Sequence, residues 1–124
     1  MRRVEVTEPA VVIRIAKLYS DHMSQQALYD STRGVWKLGK RREAVQYALA
    51  VADGIVREVF AVGQWHPAGT TKYSTRKPKE VQVEGRWEFT GSVAPASLRD
   101  KYVGHSVAHY FPRGASNPIF YVNA

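Results

Sequence analysis

The chain has 124 residues, 18 Lys+Arg against 11 Asp+Glu and no cysteine, for a formal charge of +7 and a pI near 9.9. That length suits one domain around one core, 44% hydrophobic with 23% charged residues argues against disorder, and the missing thiols exclude disulfide scaffolds, thiolate nucleophiles and Cys-containing zinc sites, cytidine-deaminase-type chemistry included. No apolar run approaches the ~18 residues that span a bilayer, and Met1-Arg2-Arg3-Val4-Glu5 lacks the apolar stretch of a secretion signal, so a cytoplasmic protein with an anionic partner and no membrane is expected.

After Glu8-Pro9, the run Ala10-Val11-Val12-Ile13-Arg14-Ile15-Ala16 is rich in β-branched residues and reads as a strand buried on both sides. From about Ser20 to Ser31, Met23, Ala27 and Leu28 fall at helical spacing, with Ser20 and Asp21 able to cap the start and Gly34 beyond the end. Two apolar runs, 45–52 and 55–62, then flank Asp53-Gly54. This dipeptide suits a type I′ turn, which needs positive φ at both central positions, so a β-hairpin is expected. A helix over 42–52 is the alternative, because Ala, Leu and Gln favour one.

Residues 66–79 carry turn formers and four cations without apolar periodicity, and are expected to form an exposed basic loop, placed at about 66–80, on which Tyr73 can close over a strand of nucleic acid. Gly85-Arg86-Trp87-Glu88-Phe89-Thr90-Gly91 alternates as a strand should, with Trp87 and Phe89 on one face and Arg86 and Glu88 on the other. A short helix over 95–102, a second short helix or turn over 104–111, and a closing strand after Asn117-Pro118 complete the chain. These elements predict a single α+β domain over 1–124: a small curled mixed β-sheet, or partly open β-barrel, flanked by short helices.

The densest candidate site is 32–42, where Arg33, Lys37, Lys40, Arg41 and Arg42 surround Trp36 and two glycines. Arginine can fork onto phosphate or a base edge, and an indole offers a stacking face. Trp65 ends the hairpin where the basic loop starts, a rim position that can wall a pocket, and Trp87 sits beside Phe89 within a strand. His105 and His109 have the i, i+4 spacing of helical metal ligands, but the Glu of His-Glu-x-x-His is missing. Gly-His-Ser-Val-Ala around Ser106 lacks the second glycine of a nucleophile elbow, carboxylates are scattered, and no phosphate-cradling or dinucleotide glycine motif occurs. No cofactor, metal or catalytic residue is assigned.

The order of elements, from the 11–15 strand through Gly34-Val35-Trp36, the 47–62 hairpin and Gly85-Arg86-Trp87-Glu88-Phe89 to Pro118-Ile119-Phe120-Tyr121-Val122, resembles the PUA-like superfamily, which includes the ASCH, EVE and YTH domains. The resemblance implies a curled barrel flanked by helices, with a cleft for RNA or for a modified base flipped into an aromatic cage. Trp36, Trp65 and Trp87 would then be cage walls, with Arg33, Lys37, Arg41 and Arg42 facing the nucleic-acid backbone. The long basic insertion over 66–79 sets this chain apart. The leading expectation is a non-catalytic nucleic-acid-binding module for DNA or RNA, and within that a reader of a modified or flipped base. Two alternatives stay open: a small metal-dependent nuclease or other nucleic-acid-processing enzyme, and a protein-interaction domain with a generic basic surface.

Overall fold

In the computed structural model, which describes residues 2–124, six strands form one curled mixed sheet, a half-barrel accompanied by three short helices. Strand β1 (Ala10–Arg14) is followed by helix α1 (Gln25–Thr32), β2 (Gly34–Trp36), a 3-10 turn (Lys40–Ala44), β3 (Tyr47–Ala52) and β4 (Ile55–Pro67). Helix α2 (Pro78–Val81), β5 (Trp87–Val93), α3 (Ala96–Tyr102), a second 3-10 turn (Ala108–Tyr110) and β6 (Ile119–Val122) follow. The order across the sheet is β2-β5-β4-β3-β1-β6, with β1 and β3 parallel and the other pairs antiparallel. No helix among the described residues is long and apolar enough to cross a membrane.

The central strands are apolar on both sides because both sides are covered. Val11 and Ile13 join Ala48, Ala50, Phe60 and Phe89 inside the curl, where Leu28 of α1 also packs; Val12, Leu49, Val51 and Val59 meet Tyr102 and Val107 on the other face. The expected hairpin forms with Ala52 opposite Ile55 and positive φ at Asp53 (56°) and Gly54 (76°). Its second strand runs 13 residues, and an extra residue between Val62 and Gln64 shifts register against β5. A bulge of this kind bends a strand and increases its twist, which lets one long strand serve a curled sheet.

Two local expectations change. Helix α1 starts after Ser24, whose hydroxyl accepts from the Ala27 amide at 3.1 Å, rather than after Ser20 or Asp21. The Gly34–Trp36 segment is an edge strand paired with β5, so the sheet has six strands where the pattern marked four or five.

Candidate nucleic-acid interface

The half-barrel leaves its two edge strands, β2 and β6, unjoined by strand pairing. A cavity of about 450 Å³ lies between them, lined by residues 14–18 continuing β1, by Trp36 at the end of β2, and by Ser116 and Pro118 ahead of β6. Ile15, Ala16, Leu18, Pro118 and the indole make its walls largely apolar, and Arg14 and Lys17 bring two cations. The Trp36 ring is fixed: its indole N–H donates to the Thr32 carbonyl at 2.7 Å, and its body packs on the inner core. Arg14 is also held, donating to the Ala115 and Asn117 carbonyls at 2.7 Å each. These acceptors are neutral, so its charge is not cancelled by them.

All three indoles belong to the inner core, half-buried, but they do not make one cage. Trp36 stands opposite Trp87 across β2 and β5, and Trp65 stands opposite Phe89, meeting that ring edge-on at 5.3 Å and 71°. The guanidinium of Arg42 lies 3.5 Å from the centre of the Trp87 ring and covers one of its faces. Of the three, Trp36 alone lines the cavity. Arg41 spans the gap between the sheet edges, donating to the Ala124 carbonyl (3.0 and 2.6 Å) and lying 4.5 Å over Tyr121, while Lys37 is exposed beside Trp36. Trp36, Lys37, Arg41, Arg42 and Trp87 therefore cluster around the β2 edge.

Arg33 and Tyr73 are elsewhere, and their burial corrects the expectation that they face a ligand. Arg33 is 2% exposed. It donates to Thr71 Oγ1 (2.8 Å), to the Phe89 and Lys72 carbonyls (3.1 and 2.7 Å) and to Asp30 (3.4 Å), and stacks 3.7 Å over the Tyr73 ring. Four of its five N–H donors are thus taken within the protein, and burial keeps the fifth away from a phosphate outside. Tyr73 is 9% exposed and packs with Val35 and Val81 in a small core of its own.

The basic segment is thus at the surface but anchored, and His66 and Pro67 belong to β4. Two carboxylates hold it. Asp30 accepts from the Ser74 amide (3.0 Å) and from the Thr75 amide and hydroxyl (2.8 Å each). Glu88 accepts from the Gly69 and Thr71 amides (2.7 and 2.9 Å), the Thr71 hydroxyl and the Tyr73 hydroxyl (3.0 Å). Burial pushes both carboxyls up, but these hydrogen bonds outweigh it and hold both below the ordinary range. Burial, with the Glu88 carboxylate beside it, pushes the Tyr73 phenol up, so the hydroxyl stays a donor. Alternation along β5 placed Glu88 opposite the core face, and it is there; the loop then covers it, leaving it fully buried. Gly34 makes this closeness possible, because a Cβ at that position would strike the Tyr73 hydroxyl and come within 3.0 Å of the Glu88 side chain.

The other titratable groups are distributed differently from their sequence neighbours. Glu58 pairs with Arg99 (2.8 and 3.0 Å) rather than with Arg57, which lies near Asp53. His105 lies in the turn after α3 and His109 in a 3-10 turn beside Glu5 (3.3 Å), so the two imidazoles do not share a helical face. Among the described residues, no group of three or more His, Cys, Asp or Glu is placed to hold a metal ion. The chain has no significant match among protein-family models, curated proteins or solved structures.

Proposed function

We propose that this chain is a non-catalytic nucleic-acid-binding module that receives a flipped or modified base in the cavity between β2 and β6, in the manner of PUA-like domains such as ASCH, EVE and YTH. The observation that carries the reading is a single one: an indole locked by its own hydrogen bond walls a cavity of about 450 Å³ at the open side of a half-barrel, with two cations at the same place. Ligand pockets commonly fall within about 300–1,000 Å³, and apolar walls with few polar groups are their usual lining. Such walls suit a base carrying an apolar substituent better than one read mainly by its hydrogen-bonding edge.

The energetics are compatible with base capture. Extruding a base costs a few kcal/mol, and stacking on one aromatic ring returns about 1–3. Trp36 alone leaves the exchange near balance, so the phosphates must supply the remainder. The exposed Lys17, Lys37 and Lys40 are the first candidates to meet them, with Arg41 and the half-buried Arg42 behind. Neutralising three to five phosphates gives a log–log salt slope of about −2 to −3.5 on a single strand.

Fluorescence polarisation with labelled single-stranded RNA and DNA dodecamers tests the proposal. Expected are a slope in that range and about 5- to 150-fold weaker binding by Trp36→Ala. Binding unaffected by salt, or equal for Trp36→Ala and wild type, rejects it. Cleavage of the oligonucleotide in magnesium or manganese would reject the non-catalytic part.

A further inference from the structure

Arg14 has a second neighbour besides the cavity. Its guanidinium carbon lies 4.4 Å from the centre of the Phe111 ring. Phe111 meets Phe120 of β6 at 6.0 Å and 61°, and Phe120 meets Tyr110 at 5.7 Å and 40°. Phe120 is 37% exposed, one of the few large apolar side chains left in solvent, whereas Phe111 and Tyr110 are partly buried against the outer core. Arg14 thus joins an aromatic row on one face of the edge strand to the Trp36 cavity.

From this continuity we infer that the Phe111–Phe120–Tyr110 row is a stacking platform for the unpaired nucleotides next to the captured base, an inference that rests on the nucleic-acid reading above. Charge selects the occupant. Residues 111–124 contain Arg113 and no Asp or Glu, and residues 10–20, which lead into the cavity, contain Arg14 and Lys17 and likewise no acid. Phe111 and Phe120, with Arg14 beside them and no carboxylate in either segment, suit a polyanion with flat faces. The row meets one acid at its Tyr110 end: Glu5 accepts from the Tyr110 hydroxyl at 3.1 Å and lies by His109. Its charge opposes a phosphate and marks the end of the track. The strand therefore leaves the cavity past Arg14 and reaches Phe120 before it departs.

Phe120→Ala, Phe120→Leu and Trp36→Ala separate this inference from the reading beneath it. Phe120 touches two neighbouring rings, so Phe120→Leu, which keeps apolar volume without a stacking face, guards against a folding defect in the alanine variant. With a labelled single-stranded dodecamer, both Phe120 substitutions are expected to weaken binding by about 5- to 150-fold, one stacked base. Annealing the complementary strand should remove the difference between these variants and wild type, since paired bases cannot splay onto the ring.

If the dodecamer binds, Trp36→Ala weakens it, and the Phe120 variants stay within about twofold of wild type, the platform is overturned while base capture stands. If the Phe120 variants lose affinity and Trp36→Ala does not, the platform stands and the cavity reading falls. No binding by wild type at low salt overturns both. Self-association lost in Phe120→Ala, with oligonucleotide binding unchanged, would assign this face to a second copy of the chain and overturn the platform.

Discussion

Substituting Glu88 by alanine removes the acceptor for four donors at once: two amides and a hydroxyl of the loop, and the Tyr73 phenol. It also frees the Thr71 hydroxyl and the Tyr73 ring, both of which contact Arg33, itself 2% exposed. Four hydrogen bonds at about 1 kcal/mol net each put the cost at about 3–5 kcal/mol. With an unfolding entropy of about 2.1 cal/mol/K per residue, 124 residues correspond to about 0.26 kcal/mol/K, so the thermal midpoint should fall by about 12–19 °C. The loop has an easier escape than global unfolding, because once released its donors reach water. The drop should therefore lie at the lower end and be accompanied by local opening. Circular dichroism melts give the midpoint, and limited trypsin digestion reads the loop through Lys72, Arg76 and Lys79. Tyr73→Phe, which deletes one donor and leaves the carboxylate three, is the graded control at about 0.5–1.5 kcal/mol. A midpoint for Glu88→Ala within about 3 °C of wild type, with no faster cleavage in the loop, would refute the anchoring role.

Acid should loosen the same anchor and, separately, the Glu58–Arg99 pair. Asp30, Glu58 and Glu88 are all held below their ordinary values of 3.8, 4.5 and 4.5, so their contribution is complete above those values and is lost as pH falls through the lower folded ones. Melts across acid pH should show a flat midpoint above about pH 4.5 and a decline below it; a midpoint unchanged down to about pH 3 contradicts this. Gly34→Ala should lower the midpoint and speed tryptic cleavage of the loop, because the added methyl displaces the Tyr73 hydroxyl from Glu88. Equal melts would show that the close approach is dispensable. Arg42→Ala should uncover the Trp87 face, read as stronger acrylamide quenching of tryptophan emission, with a stability loss of about 0.5–2 kcal/mol; unchanged quenching would mean that the stack does not persist in solution.

The hairpin and β1 were legible because their signals are local: Asp53-Gly54 demands a turn of fixed hand, and four consecutive apolar residues ahead of Arg14 need cover on both faces. The inward placement of Trp87 and Phe89 followed from alternation alone. Strand β2 escaped notice because three residues carry no period, and its pairing to β5 is a tertiary fact. The start of α1 was misjudged because Ser20, Asp21 and Ser24 are all chemically able to cap. Within the candidate site, Trp36 stood out by its basic neighbours. Arg14, Lys17 and Pro118 did not, since only the β1–β6 pairing brings their segments together opposite β2. Asp30 and Glu88 were invisible as a pair for a related reason. Their partners lie in a loop 15 to 45 positions away, and nothing in a polar loop announces which carboxylate will collect its amides.

The anchor and the cavity meet in one short stretch of chain. Asp30 and Arg33 hold the loop, Thr32 between them is fully buried, and the Thr32 carbonyl accepts the hydrogen bond that orients Trp36. Arg76 adds a bond to the Gly34 carbonyl at 2.6 Å, so the loop also grips β2 directly. Loosening the anchor should therefore be felt as disorder in the cavity wall, although no loop residue touches the cavity. Asp30→Asn makes the point cleanly: it preserves shape, substitutes no cavity residue, and replaces one of two acceptor oxygens by an amide that must oppose either the Ser74 and Thr75 donors or those of Gln26 and Arg33. If the competent wall becomes one of several arrangements, apparent affinity falls by the fraction lost. A several-fold weaker dodecamer complex with an unchanged salt slope is expected, since the phosphate contacts remain. Wild-type affinity in Asp30→Asn, together with faster cleavage of its loop, would show that the wall holds its orientation without the anchor. The Thr32–Trp36 hydrogen bond would then be sufficient by itself.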